Sequence, residues 1–313
     1  MTNATGQGTV WNLPNYAGDL FTADAENTPF LTMIGGLTGG VVTNNFEFPT
    51  DSAYEYPAAA QPAITENDSL NAPDGTEFVR TQHKNVTQIF QEAVKISYVK
   101  LSNMGRMSGL NTAGQQSNVA NEKAWQIATA LKKIARDIEY TCLNGSYNLA
   151  TNAAEANKTR GMLEACTSSA VNASGAALTK AMMQQLFKEM FDNGAVFDNT
   201  VIWVNSFQKQ KISEIYGYAP NDRNVGGVNI KQIETDFGNI GIALNRFMPA
   251  GSLLCADMAT IKPVFQPVPG KGNFFYEKLA KTGASEDGQI YGQFGLDHSA
   301  EFLHGKIYGL ATE

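Results

Sequence analysis

The chain holds three histidines, and two of them sit in the one spacing with a ready chemical reading: His298, Glu301 and His304 form H-x-x-E-x-x-H. Imidazole and carboxylate are common metal ligands. On a helix, positions i, i+3 and i+6 fan out at about 100° per residue and do not converge on one ion. In the strand expected here, His298 and His304 share a face and Glu301 points the other way. The spacing therefore predicts structural histidines rather than a metal site. GGLTGG (35–40) and PGKGNFF (269–275) are glycine-rich but lack the Gly-Lys-Ser/Thr that lets a phosphate loop hold Mg²⁺. Both read as turns. Neither G-x-S-x-G nor H-E-x-x-H occurs, and so few histidines leave nucleophile–base pairs scarce. Cys142, Cys166 and Cys255 have no short spacing, which argues against a disulfide framework or zinc knuckle and fits a reducing compartment. No catalytic, cofactor-binding or metal-binding residue is expected, and no cofactor.

Charge carries more information than any motif. Residues 1–79 contain no Lys or Arg but ten acidic residues, from Asp19 to Glu77, so this stretch carries −10. All 23 basic residues follow from Arg80 onward, and the net charge of the whole chain is −7. An acidic leading quarter cannot serve as a nucleic-acid-binding arm, because phosphate neutralisation needs cations. It suits an extended segment that docks on a basic patch of another subunit. Lys132, Lys133 and Arg136 form such a patch, and the loop acids Asp51, Glu55, Glu66, Asp68 and Asp74 are its candidate counterparts. Charged residues make up only 17% of the chain, against about 25% in ordinary soluble domains, so part of the surface is expected to meet protein. The N-terminus lacks the pattern of a signal peptide, and no window approaches about 20 apolar residues, so no membrane contact is expected. N-x-S/T triplets, at Asn85 and Asn144 among others, reflect only an abundance of these residue types.

Length permits one large or two modest domains. Residues 1–40 mix apolar anchors (Trp11, Leu13, Tyr16, Phe21, Phe30, Leu31, Ile34) with Gly and Asn, as in an arm that lies on a surface. A strand is predicted over 41–49 from Val42, Phe46 and Phe48, then a proline-rich irregular excursion over 50–78. A returning strand follows, with Val94, Ile96 and Tyr98 alternating. Together these predict a long projecting hairpin. The strongest helix runs over 118–144: Ile127, Leu131, Ile134, Ile138 and Cys142 form its apolar stripe, and Asn118 is its predicted cap. Beyond 177 the pattern becomes α/β. Thr179 caps a helix carrying Met183, Leu186, Phe187 and Met190, then come a strand at 201–204 and a helix at 206–216. Residues 217–227 read as a loop, strands are expected at 228–234, 239–244 and 252–256, and the tail reads as two more.

Several stretches in this order resemble the major capsid proteins of tailed bacteriophages, the Hong Kong 97-type shell fold, in the group without a long N-terminal scaffolding extension. They are NVTQIFQEAVKIS (85–97), KKIARDIEYTCLNG (132–145), TRGMLEA (159–165), LTKAMMQQLFKEMFDNGA (178–195), ETDFGNIGIALNRFMP (234–249) and KTGASEDGQIYGQFGLDHSAEFLHGKIYGL (281–310). The resemblance implies an α+β chain with an N-terminal arm (1–40), an extended hairpin loop (41–98), a peripheral domain (99–177 and 277–313) built on the spine helix, and an axial domain (178–276). It implies a non-enzymatic subunit that forms pentamers and hexamers, closing an icosahedral head around double-stranded DNA without reading its sequence. A separate scaffolding protein, a portal and a decoration protein are the partners it implies, with assembly in the host cytoplasm and residence in the virion. The type phage cross-links its shell through a loop lysine, but no Lys lies between 41 and 83 and only Lys84 is near, so covalent cross-linking is not expected. Two other readings remain: the shell of a bacterial nanocompartment, and a carbohydrate-acting enzyme using Asp236 with Asp257.

Overall fold

The computed structural model describes residues 27–54, 59–72, 75, 77–102, 122–216 and 232–312. The anchors from Trp11 to Phe21, Glu55, Asp74, the Asn118 cap and the 217–227 loop lie outside the described residues.

The chain begins with a short helix α1 (Pro29–Met33), a two-residue strand β1 (Val41–Val42) and then β2 (Glu47–Tyr54). A four-residue helix α2 (Glu66–Ser69) precedes β3 (Arg80–Val86), β4 (Gln88–Ser97) and α3 (Tyr98–Ser102). The spine helix is α4 (Glu122–Asn144), whose 23 residues span about 35 Å at 1.5 Å per residue. After it come α5 (Met162–Ala165), β5 (Ala170–Asn172), α6 (Lys180–Asp192), β6 (Thr200–Val204) and α7 (Ser206–Tyr216). Strands β7 (Gln232–Thr235), β8 (Gly238–Leu244), β9 (Leu253–Asp257), β10 (Lys262–Phe265) and β11 (Phe274–Lys278) lead to the long β12 (Ser285–Asp297) and to β13 (Gly305–Tyr308). No helix among the described residues is long and apolar enough to cross a membrane.

These strands make three sheets. One has the order β5-β13-β9-β6-β8-β7. In the second, β12 is bordered on one side by β4 and on the other by β11 and β10, with β1 beyond β10. The third is the isolated pair β2-β3. The six-stranded sheet is covered on both faces. Trp203, Leu254 and Ala256 point to a core shared with α4, while Ile202, Val204, Leu253 and Cys255 point to a second core under α6 and α7. Full coverage is why β9 and β6 read as unbroken apolar runs rather than alternating ones.

Several expectations are corrected here. The strand expected over 41–49 divides into β1 and β2, and β2 pairs with 80–86; the returning stretch 88–97 pairs instead with β12, inside the body. Val42 and Phe46 are exposed, Phe48 alone of the three is buried, and Tyr98 opens a helix. The excursion also contains α2, closed by a capping box in which Thr65 and Asp68 each accept from the other's amide. On α4 the buried stripe steps from Ile127 to Ala130, then Ile134, Ile138 and Cys142, leaving Leu131 exposed. At 100° per residue, Ala130 stays on the core side where Leu131 rotates off it. The segment 277–313 does not stay in one part: β12 joins the five-stranded sheet and β13 the six-stranded one. Likewise β5 joins the six-stranded sheet and β10 the five-stranded one, because strand pairing follows backbone register and ignores chain segments.

Candidate assembly surfaces

The β2-β3 hairpin leaves the body abruptly. Along β3 the residues from Arg80 to Lys84 are exposed, and burial begins only at Asn85 and Val86. Asn85 is fully buried and makes four bonds. Its Nδ2 donates to Leu296 O (2.7 Å) and Arg160 O (3.2 Å), and its Oδ1 accepts from Arg160 N (2.8 Å) and Val86 N (2.9 Å). A buried amide with its capacity used in this way fixes geometry, since each unmet group would cost about 1–3 kcal/mol. Beside it the Phe48 ring lies against Gly295, where a Cβ would come within 2.6 Å of Phe48 Cε1. The hairpin is thus clamped at its root. Farther out it carries exposed Ile64, Leu70, Phe78 and Val79, of which Leu70 is 78% exposed.

The residues singled out from charge are placed unevenly. Asp51 pairs across the hairpin with His83 (2.8 Å), and Lys84 pairs with Glu47 (3.2 Å). Glu66 and Asp68 are exposed on α2, with Asp68 held in the capping box, where the Thr65 hydroxyl keeps its carboxyl below the ordinary range. On α4, Lys132 is exposed and Arg136 is half-buried with its guanidinium over the Phe247 ring. Lys133 is engaged within its own chain, by Glu92 (2.5 Å) and Asp137 (3.6 Å). The expected basic face is therefore narrower than the sequence suggests: Lys133 bridges to β4 and Arg136 packs on a ring.

The residue that sequence reasoning missed is Glu139. It is fully buried on α4, yet it faces the N-terminal segment. Oε1 accepts from Phe30 N at 2.8 Å, Oε2 accepts from Leu31 N at 2.6 Å, and the Asn245 side-chain amide also donates to Oε1. Burial pushes its carboxyl above the ordinary range, opposed by the bonds from Leu31, Phe30 and Asn245. Phe30 packs edge-on against Trp203, 5.3 Å between centroids. The missed signal was a carboxylate one position past the apolar Ile138, on the side of the helix already turned inward.

His298 follows the end of β12 at Asp297 and His304 follows the 3-10 turn Glu301–Leu303, so the expected strand arrangement does not hold. His304 Nε2 donates to His298 O (2.7 Å) and its Nδ1 accepts from Asp257 N (3.2 Å), while Glu301 accepts from Thr167 and Ser168. Both imidazole nitrogens of His304 hold backbone together. Asp257 accepts from Ala259 N, and Asp236 is exposed in the turn between β7 and β8, so the two carboxylates have separate settings. Among the described residues no cluster of His, Cys, Asp and Glu is arranged to hold a metal ion.

Comparison with known proteins gives the context for this layout. The capsid of the cyanophage A-1(L) is similar over 100% of both chains, with a TM-score of 0.64 and 11% identity. The capsid of the native GTA particle covers 99% of this chain and 100% of its own, at TM-score 0.58 and 12% identity. The holo-SrpI encapsulin complex of Synechococcus elongatus is similar over 93% of each chain, at TM-score 0.54 and 9% identity. At such identities the likeness shows the fold, which is the Hong Kong 97 type. No curated protein matches the sequence. The profile of the SU10 major capsid proteins, however, matches residues 3–311, nearly the whole chain. A clamped projecting hairpin, a spine helix and two sheets sharing one chain are thus the parts of a shell subunit, and the chain belongs to the SU10 major capsid protein family.

Proposed function

We propose that copies of this chain assemble into pentamers and hexamers that close an icosahedral phage head around double-stranded DNA. The observation that carries this reading is the hairpin: it is clamped at Asn85 yet presents Ile64, Leu70, Phe78 and Val79 to solvent. Apolar side chains held out from a body on a rigid root suit burial against another protein. We assign them, with the acids of the same excursion, to a neighbouring copy. Glu66 and Asp68 face cations there, and Lys132 with Arg136 on the spine helix are the cations of matching sign, while Asp51 and Lys133 are engaged within their own chain. Each exposed pair contributes about 0.2–1 kcal/mol, and repetition around a closed shell makes such pairs effective. The subunit acts by packing, encloses DNA without reading its bases, and works with a separate scaffolding protein, a portal and a decoration protein. Assembly takes place in the host cytoplasm.

The test is to concentrate the purified chain and image it, alongside a variant in which residues 55–78 are replaced by a short Gly-Ser turn. Closed particles from the parent and a folded, unassembled variant are expected. Shells from the truncated variant would remove the hairpin from the mechanism. The encapsulin likeness supports one alternative, a nanocompartment shell; a protein cargo in place of DNA inside particles from the natural source would favour it.

A further inference from the structure

The N-terminal segment is held to the body by a discrete socket. Three elements distant in sequence contribute: Glu139 from α4, Asn245 from the connection after β8, and Trp203 from β6. Asn245 cannot turn freely, because its Oδ1 accepts from Phe247 N at 2.9 Å. Its Nδ2 is therefore directed at Glu139. Into this socket α1 presents two consecutive amides and the side chains of Phe30 and Leu31, both at most 2% exposed. On the far side of α1 the chain turns through Gly35, Gly36 and Gly40, all at positive φ, before β1 pairs with β10. The carboxylate and the buried side chains of Phe30, Leu31 and Ile34 hold α1 to the body.

We propose that Glu139 is the positioning residue for α1, setting where the N-terminal segment meets the body and, through it, the competence of the chain to join a second copy. The inference rests on the shell reading above. A carboxylate is needed here for a geometric reason. Three donors converge on two oxygens, with Phe30 N and Asn245 Nδ2 on one and Leu31 N on the other. A glutamine of the same shape has one oxygen. Its NH₂ group must face Leu31 N–H, or else face both Phe30 N–H and the fixed Asn245 amide, and a donor then meets a donor.

The experiment compares the parent chain with Glu139→Gln by amide hydrogen exchange on the unassembled protein and by assembly kinetics. In the variant, exchange at Phe30 and Leu31 is expected to speed up roughly ten- to hundredfold, the equivalent of losing one hydrogen bond to a charged group. Amides of β9 should keep their protection, and shell formation should slow by a comparable factor. Unchanged exchange at Phe30 and Leu31 would overturn the anchor. Faster exchange with unchanged assembly would overturn the positioning role. If Glu139→Gln does not fold, Asn245→Ala removes the third donor together with the acceptor of Phe247 N while leaving the carboxylate in place, and the same two measurements decide in the same way. A parent chain that never forms shells defeats the shell reading and with it the proposed role in assembly, while the exchange result still decides whether Glu139 anchors α1.

Discussion

Acid should weaken the subunit through His304. The imidazole is fully buried, and burial lowers its pKa to about 4 from an ordinary 6.5, against the opposing bond to His298 O. Protonation would place a second N–H on Nδ1, which now accepts from Asp257 N. Between pH 6.5 and about 4 the unfolded chain binds a proton that the folded chain refuses, so stability is lost as pH falls through that window. Lowering the pKa from 6.5 to about 4 corresponds to about 3 kcal/mol in full, of which about 2 kcal/mol is expressed by pH 5. His298, also lowered by burial, acts in the same direction. Glu139 and Asp297, both raised by burial, act in the opposite one, taking up protons earlier in the folded state. A single pH scan therefore mixes signs, and a comparison with His304→Gln isolates the histidine. The glutamine keeps one donor and one acceptor and does not titrate. The assay is urea unfolding of the unassembled chain at pH 7 and pH 5, followed by circular dichroism. The variant is expected to be weaker at pH 7 by about 1–3 kcal/mol, through poorer hydrogen bonds. Its loss between the two pH values should be smaller than the parent's by about 2 kcal/mol. Equal losses in parent and variant would refute the assignment of acid lability to this ring.

Three further outcomes follow from particular contacts. Ile134→Asp places a carboxylate in the middle of the core shared by α4 and both large sheets, at a cost of several kcal/mol, and should give insoluble or unfolded chains; a cooperatively melting soluble product would show that the stripe is not core. Gly161→Ala brings a Cβ within 2.5 Å of Gly145 N and 2.7 Å of Thr141 O, both backbone, where the spine helix ends; a loss of about 1–3 kcal/mol is expected in thermal or urea unfolding, and no loss would mean the two segments can part freely. Lys132→Glu with Arg136→Glu should slow assembly and reduce its salt dependence, with a small loss of melting temperature because Arg136 packs over Phe247; normal particles with unaltered salt dependence would leave the acidic quarter without this partner.

Much of the layout is legible along the chain. Thr179 does cap α6 by accepting from Met182 N, α7 runs from Ser206 to Tyr216 as expected, and the order of segments points to the fold. These features are local: caps, periodicity and turn residues act within a few positions of themselves. Pairing partners are not legible, so 88–97 reads as part of the hairpin when its register belongs to β12. The two anchors are hidden for the same reason. In sequence Asn85 is one of many Asn residues, and Glu139 has the look of an ordinary solvated acid. What makes them anchors is a set of amides and carbonyls more than 70 residues away, from Arg160, Leu296, Phe30 and Leu31. A hydrogen-bond partner leaves no periodic trace in sequence, whereas an apolar face does. The sequence by itself determined the main helices, the acidic leading quarter and the kinship. Only the tertiary structure decided which strands pair, which charges meet inside one chain, and where the arm and hairpin are held, because each depends on directional contacts between groups that the chain separates.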